Sequence, residues 1–143
     1  MTRRRLRPHS RGQAMVEFAL VLPLFLLLLF AFIDVGRYVY STTAYGQAAR
    51  EGARWGSVEQ WAFECPGGVS PQTRQNCTVA VTTGRVPAGA PAPSQVTFVC
   101  PATCRAGDVF SVTVAGPFRF LTPVIGNLLG TPTISQTAQV VIQ

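Results

Sequence analysis

The twenty residues from Ala14 to Ile33 read AMVEFALVLPLFLLLLFAFI, and Glu17 is the one charged side chain among them. At 1.5 Å per residue, a helix of this length spans ~30 Å, the thickness of the hydrocarbon core of a bilayer. The core of a soluble protein is the other home for an apolar helix, but core helices rarely run so far without a polar face. The stretch therefore predicts a transmembrane helix over residues 13–34. Pro23 lies inside it and removes one backbone donor, so a kink is expected there, which a membrane tolerates.

Working outward, residues 1–12 form a basic leader containing Arg3, Arg4, Arg5, Arg7, His9 and Arg11. Arg37 alone follows the apolar run within about fifteen residues, and the Arg-rich flank normally stays cytoplasmic. The expected topology is a single pass through the cell membrane, with the N-terminus inside and the rest extracytoplasmic. A secretory signal peptide also combines a basic start with an apolar run, but this run is too long and no tidy A-x-A site precedes Ser41, although STTAYGQA leaves room for one. The formal charge of +6 is concentrated in the leader; without it, seven Arg stand against six acids, a balance of +1. A body so nearly neutral offers no basic face for a nucleic acid.

Catalytic chemistry is equally hard to place. The single histidine, His9, sits in the leader, so no nucleophile of the body has a histidine base. Asp34, Glu51, Glu59, Glu64 and Asp108 are scattered without the spacing of a metal site or an acid and base pair. No phosphate-binding Gly-rich loop is present. The sequence predicts no enzyme, no catalytic residue, no metal, no cofactor and no small-molecule substrate.

Nothing stops the helix at Ile33. A helical period continues through Val35, Val39, Thr42, Gly46, Ala49, Ala53 and Gly56, which predicts an extracytoplasmic extension over residues 35–60 with a narrow face of small residues. Gly46, Gly52 and Gly56 each cost about 1 kcal/mol in a helix relative to Ala, so close contacts are expected in return. The packing residues singled out are Gly46, Ala49, Ala53 and Gly56, meeting either the body of the same chain or neighbouring helices. Glu51 and Arg54, three apart on the polar side, are placed to pair.

Residues 61–143 read as a small β-rich body. Turn-forming CPGGVSPQTRQNC and RVPAGAPAPS alternate with β-branched runs at Thr78 to Thr82, Gln95 to Val99, Val109 to Ala115 and Thr133 to Ile142, predicting a small antiparallel sheet. Between them, the prolines of FRFLTPVIGNLLG predict a bent or partly helical connection. Phe118, Phe120, Leu121, Val124 and Ile125 are assigned to the core, with a membrane-proximal patch or a subunit contact as the other readings. Cys65, Cys77, Cys100 and Cys104 all follow the apolar run, so this topology exposes them to an oxidising compartment. Three pairings are open; the local one, Cys65 with Cys77 and Cys100 with Cys104, is preferred, and a four-thiolate zinc site is disfavoured by the spacing.

The stretch SRGQAMVEFALVLPLFLLLLF resembles a type IV prepilin signal, in which a basic leader ends at a Gly and a Glu and an aromatic follow at the head of an apolar run. Together with AAREGAR at Ala48 to Arg54 and VTVAGPFRFLTPVIG at Val112 to Gly126, it more narrowly resembles the TadE-like family of the tight-adherence (Tad or Flp) pilus system. The resemblance implies a pilin-like α+β fold: a long N-terminal transmembrane helix extending into a small extracytoplasmic antiparallel sheet domain. It implies processing by a prepilin peptidase between Gly12 and Gln13, where a residue without a side chain leaves the cut unobstructed. It also implies subunit registration by Glu17 with Phe18. A carboxylate in the apolar run costs ~2.5 kcal/mol or more at the helix centre, and the freed amine of a neighbour's Gln13 would offset that cost. The expected partners are the membrane, other pilin-like subunits and the pilus assembly machinery. The function so implied is that of a minor pilin or pseudopilin of a Tad-type pilus or related secretion apparatus. A permanently anchored surface binding module, neither cleaved nor polymerised, is the other reading.

Overall fold

A computed structural model describes residues 10–58, 65, 68, 69, 71, 73–100 and 104–143. The leader arginines up to Arg7, His9, Glu59, Glu64 and the expected boundary at 60/61 lie outside the described residues.

One helix, α1, runs unbroken over Ser10–Ser57 and passes through Pro23. It stops where the Ser57 hydroxyl turns back to donate to the Arg54 carbonyl at 2.8 Å. A second helix, α2, spans Arg74–Gly84. The sheet follows: β1 at Gln95–Val99, β2 at Val109–Pro117 and β3 at Thr133–Val141, with a short helix, α3, at Pro123–Leu129 before β3. The strand order is β1-β2-β3, antiparallel throughout. The chain is thus α+β, with a long apolar N-terminal helix leading into a three-stranded sheet.

The alternation in β2 explains which side is covered. Phe110, Val112, Val114 and Gly116 point inward, whereas Thr113 faces out and shares a 2.7 Å hydrogen bond with Thr137 of β3 across the outer surface. The inward row meets the C-terminal half of α1 in two clusters. Tyr45 and Ala49 pack with Val114, Phe118 and Ile134, and Ala53 packs with Phe110, Val112 and Ile142. The sheet's apolar face is therefore completed by α1 itself, the same helix that carries the apolar run.

The run Thr78 to Thr82, expected as a strand, is part of α2. Local β preference is weak beside capping and packing. Thr73 caps the helix by accepting the Asn76 N–H at 3.2 Å, and the Arg85 N–H closes its far end on the Val81 and Thr82 carbonyls. Two of its threonines satisfy their hydroxyls inside the helix, Thr82 and Thr83 donating to the carbonyls four residues back at 2.7 and 2.8 Å. Helical spacing then gathers Cys77, Thr78, Val81 and Thr82 onto one buried face against α1, which strand alternation would have split.

The connection between β2 and β3 is partly helical, as its prolines led one to expect, but its burial departs from expectation. Phe118 is buried, Phe120 and Ile125 are half-buried, but Leu121 and Val124 are exposed, and α3 buries none of its residues. Phe118 fills the space beside Tyr38 and Phe120 with edge-on ring contacts at 5.4 and 5.2 Å, so the core is closed before the chain reaches Leu121.

Candidate functional site along the long helix

The lower half of α1 stands clear of the body. From Ala14 to Ile33 every residue is exposed except half-buried Ala31, and the helix is long and apolar enough to cross a membrane. An apolar cylinder of this size does not stay in water. Its composition and its isolation are compatible with a single-pass membrane protein.

Glu17 lies one turn after Gln13 on this exposed cylinder, and the Gln13 side-chain amide donates to its Oε1 at 3.1 Å. Phe18 beside it is exposed. Gly12 has open space around it, with nothing within 4 Å of where a Cβ would sit. The residues expected to carry processing and registration thus occupy consecutive turns of an accessible helix and make no contact with the body.

Further along, α1 changes character. Ala49 and Ala53 are buried in the two core clusters. Gly52 and Gly56 are places of close approach: a Cβ on Gly52 would run into the Thr82 hydroxyl of α2, and one on Gly56 into the Phe110 ring and the Thr78 hydroxyl. Gly46 is different, because a Cβ there would meet Arg50 and Gln136 side chains at 3.6 and 3.9 Å, ordinary contact distances. The buried line also starts elsewhere than expected. Val35 and Val39 are exposed, whereas Asp34, Ser41, Tyr45, Ala48 and Gly52 face inward. The shift follows from the sheet, whose inward row selects the side of α1 bearing Tyr45. Glu51 pairs across to Arg85 at 3.6 Å, the residue that caps α2, and its expected pairing with Arg54 is not made.

The residue that sequence reasoning missed is Asp34. Its carboxylate is buried and accepts the backbone N–H groups of Leu121 at 2.8 Å and Thr122 at 3.0 Å. Arg37 Nη1 approaches Asp34 Oδ1 and the Arg119 carbonyl, each at 3.3 Å, and the guanidinium lies 5.5 Å above the Phe118 ring. The first polar side chain after the apolar run therefore clamps the start of α3 to α1 and offsets its own desolvation with three donors. One signal was available, namely an acid placed where the run ends; its partners, 87 and 88 residues away, were not. One turn up from Ser41, burial raises the Tyr45 phenol above its usual pKa and keeps it a neutral donor, to the Pro91 carbonyl at 3.0 Å.

The four cysteines form two pairs, Cys65 with Cys77 and Cys100 with Cys104, with Cα atoms 5.2 and 5.6 Å apart. The first ties the segment after α1 to the buried face of α2. Among the described residues no group of three or more His, Cys, Asp or Glu is assembled to hold a metal.

The model of the TadE-like protein family matches from Gly12 through the apolar run to Arg54, the last residue of AAREGAR. Residues 12–54, less than a third of the chain, are thus similar to that family. No curated protein and no solved structure matches the chain. The matched segment coincides with the part of α1 described above, from the open Gly12 to the start of the close approach at Gly52 to Gly56.

Proposed function

We propose that the protein is a minor pilin or pseudopilin-like component of a Tad-type pilus or related secretion apparatus, held in the cell membrane by α1 and acting in filament assembly. The N-terminus faces the cytoplasm and the sheet domain lies outside. One observation carries the reading: the TadE-like match begins at Gly12, the expected cut, and takes in Glu17 on the free-standing half of α1. Cleavage by a prepilin peptidase would leave Gln13 first and give the chain a new ammonium group. Glu17 is accessible on the helix surface, so a neighbour's ammonium can reach it, and that pairing would set the axial offset between subunits. Small, neighbouring pilin-like subunits and the assembly machinery are the partners; the role is structural and not enzymatic.

A second reading, the permanently anchored module, has its own support. The Gln13 amide already gives Glu17 a donor within the same chain, which an uncleaved helix keeps without any neighbour.

The mass of the N-terminus in membranes separates the two, measured for the natural chain, Gly12→Ala and Glu17→Ala. A chain starting at Gln13, lost on changing Gly12, together with impaired piliation in Glu17→Ala, supports assembly. An intact leader in piliated cells, or piliation unaffected by Glu17→Ala, refutes it.

A further inference from the structure

We infer that α3 and the residues leading into it rest on the lipid surface, so that the body touches the bilayer through a second, non-spanning apolar foot beside α1. The inference rests on α1 spanning the membrane and does not need filament assembly.

Topology fixes which end of the body faces the membrane. Because β2 pairs along α1 with Phe110 beside Ala53 and Gly56, and Phe118 beside Tyr38 and Arg37, the strand descends toward the apolar run. The connection from β2 to β3 therefore lies at the membrane end, and the turn around Ala106 before β2 at the far end. The height is set by Asp34, the first residue past Ile33, whose carboxylate holds the Leu121 and Thr122 amides. The start of α3 thus sits at the level where the apolar run ends.

What this foot presents is apolar and unpartnered. Leu121, Val124, Leu128 and Leu129 are 57%, 61%, 83% and 62% exposed, although the core of the body is already filled by Phe118, Tyr45 and Ile134. Polar signals at the same height suit a lipid headgroup region. Arg37 and Arg119 line a shallow cleft with Pro91 and Pro117 immediately above the foot, and Tyr38 and Tyr40 are exposed on α1 one to two turns past Asp34. Arginine over leucine, with tyrosine at the boundary, is the layering of an interfacial element whose cations meet phosphates. The acid at this level, Asp34, is buried and already pairs with Arg37, so exposed Arg119 is the main cation offered to anionic headgroups.

Single-tryptophan versions of the full chain test this, with Trp55 and Trp61 replaced by Phe, in vesicles of phosphatidylcholine and phosphatidylglycerol brominated either near the top or deep in the acyl chains. Leu24→Trp, in the middle of the run, reports spanning and should lose emission to the deep bromines. Leu128→Trp should be blue-shifted and lose emission to the shallow bromines, and Ala106→Trp should do neither. Quenching at Leu24→Trp without quenching at Leu128→Trp overturns the foot while leaving the spanning helix in place. Absence of quenching at Leu24→Trp overturns both. A blue shift at Leu128→Trp that grows with protein-to-lipid ratio and ignores bromine means that a second copy covers the patch, which also overturns it. The Leu128→Trp quenching should weaken without phosphatidylglycerol and in Arg119→Gln; indifference to both would overturn the role given to the arginines.

Discussion

Replacing Asp34 by Ala removes the acceptor of two backbone N–H groups, that of Thr122 buried and that of Leu121 part-buried, while leaving α1 a better helix former at that position. An unsatisfied buried donor costs about 1–3 kcal/mol, in full at Thr122 and in part at Leu121, which water reaches more easily. Against this, the variant no longer buries a carboxylate, so the net loss is placed at about 2–4 kcal/mol. Arg37 adds little, because its side chain is 41% exposed and water replaces the lost partner. For a body of this size that loss lowers the unfolding midpoint by about 10–20 °C in detergent. The damage should be local first: amide exchange at Leu121, Thr122 and through α3 should accelerate well before that of β2. Asp34→Asn keeps one carbonyl oxygen for one of the two amides and should lose roughly half as much. Unchanged exchange at Leu121 and Thr122 in Asp34→Ala would refute the clamp.

Substitutions along α1 should differ in sign. Gly46→Ala meets only ordinary contacts and should stabilise by up to about 1 kcal/mol, whereas Gly56→Val drives a side chain into Phe110 and Thr78 and should cost about 1–3 kcal/mol, both read from denaturant midpoints. Thr73→Ala removes the cap of α2 and should cost about 1 kcal/mol, with faster exchange at the Asn76 amide. Changing Cys65 and Cys77 together to Ser should cost about 2–3 kcal/mol and leave one pair; intact-mass measurement after alkylation without reductant should show no free thiol in the natural chain.

Elements whose physics is written in neighbouring residues were legible. The apolar run announces α1, and the alternation in FSVTVAG announces β2, because period and length are local properties. Where partners are distant, legibility ends. TVAVTT has the composition of a strand and becomes helical because Thr73 caps it and α1 offers Gly52 and Gly56 as a place to pack. The inward face of α1 was displaced because Tyr45, and not a continuous line of small residues, fits against Val114 and Phe118. Glu51 found Arg85 across a helix pair in preference to Arg54 on its own helix, a choice that tertiary distance makes and sequence spacing cannot. Of the candidate site, Gly12, Gln13, Glu17 and Phe18 stand out through a resemblance carried by neighbouring residues, while the Asp34 clamp joins residues that nothing in the intervening sequence connects.

The continuity of α1 has a mechanical meaning. The apolar run and the body share one rod of 48 residues, roughly 72 Å long at helical rise, with no break where the apolar run ends. Tension applied to the apolar half would pass straight to the ring contacts around Phe118, where the Asp34 carboxylate ties Leu121 and Thr122 to the same rod. A chain so built is lifted or rotated as a single piece, like a piston with its head cast onto the shaft.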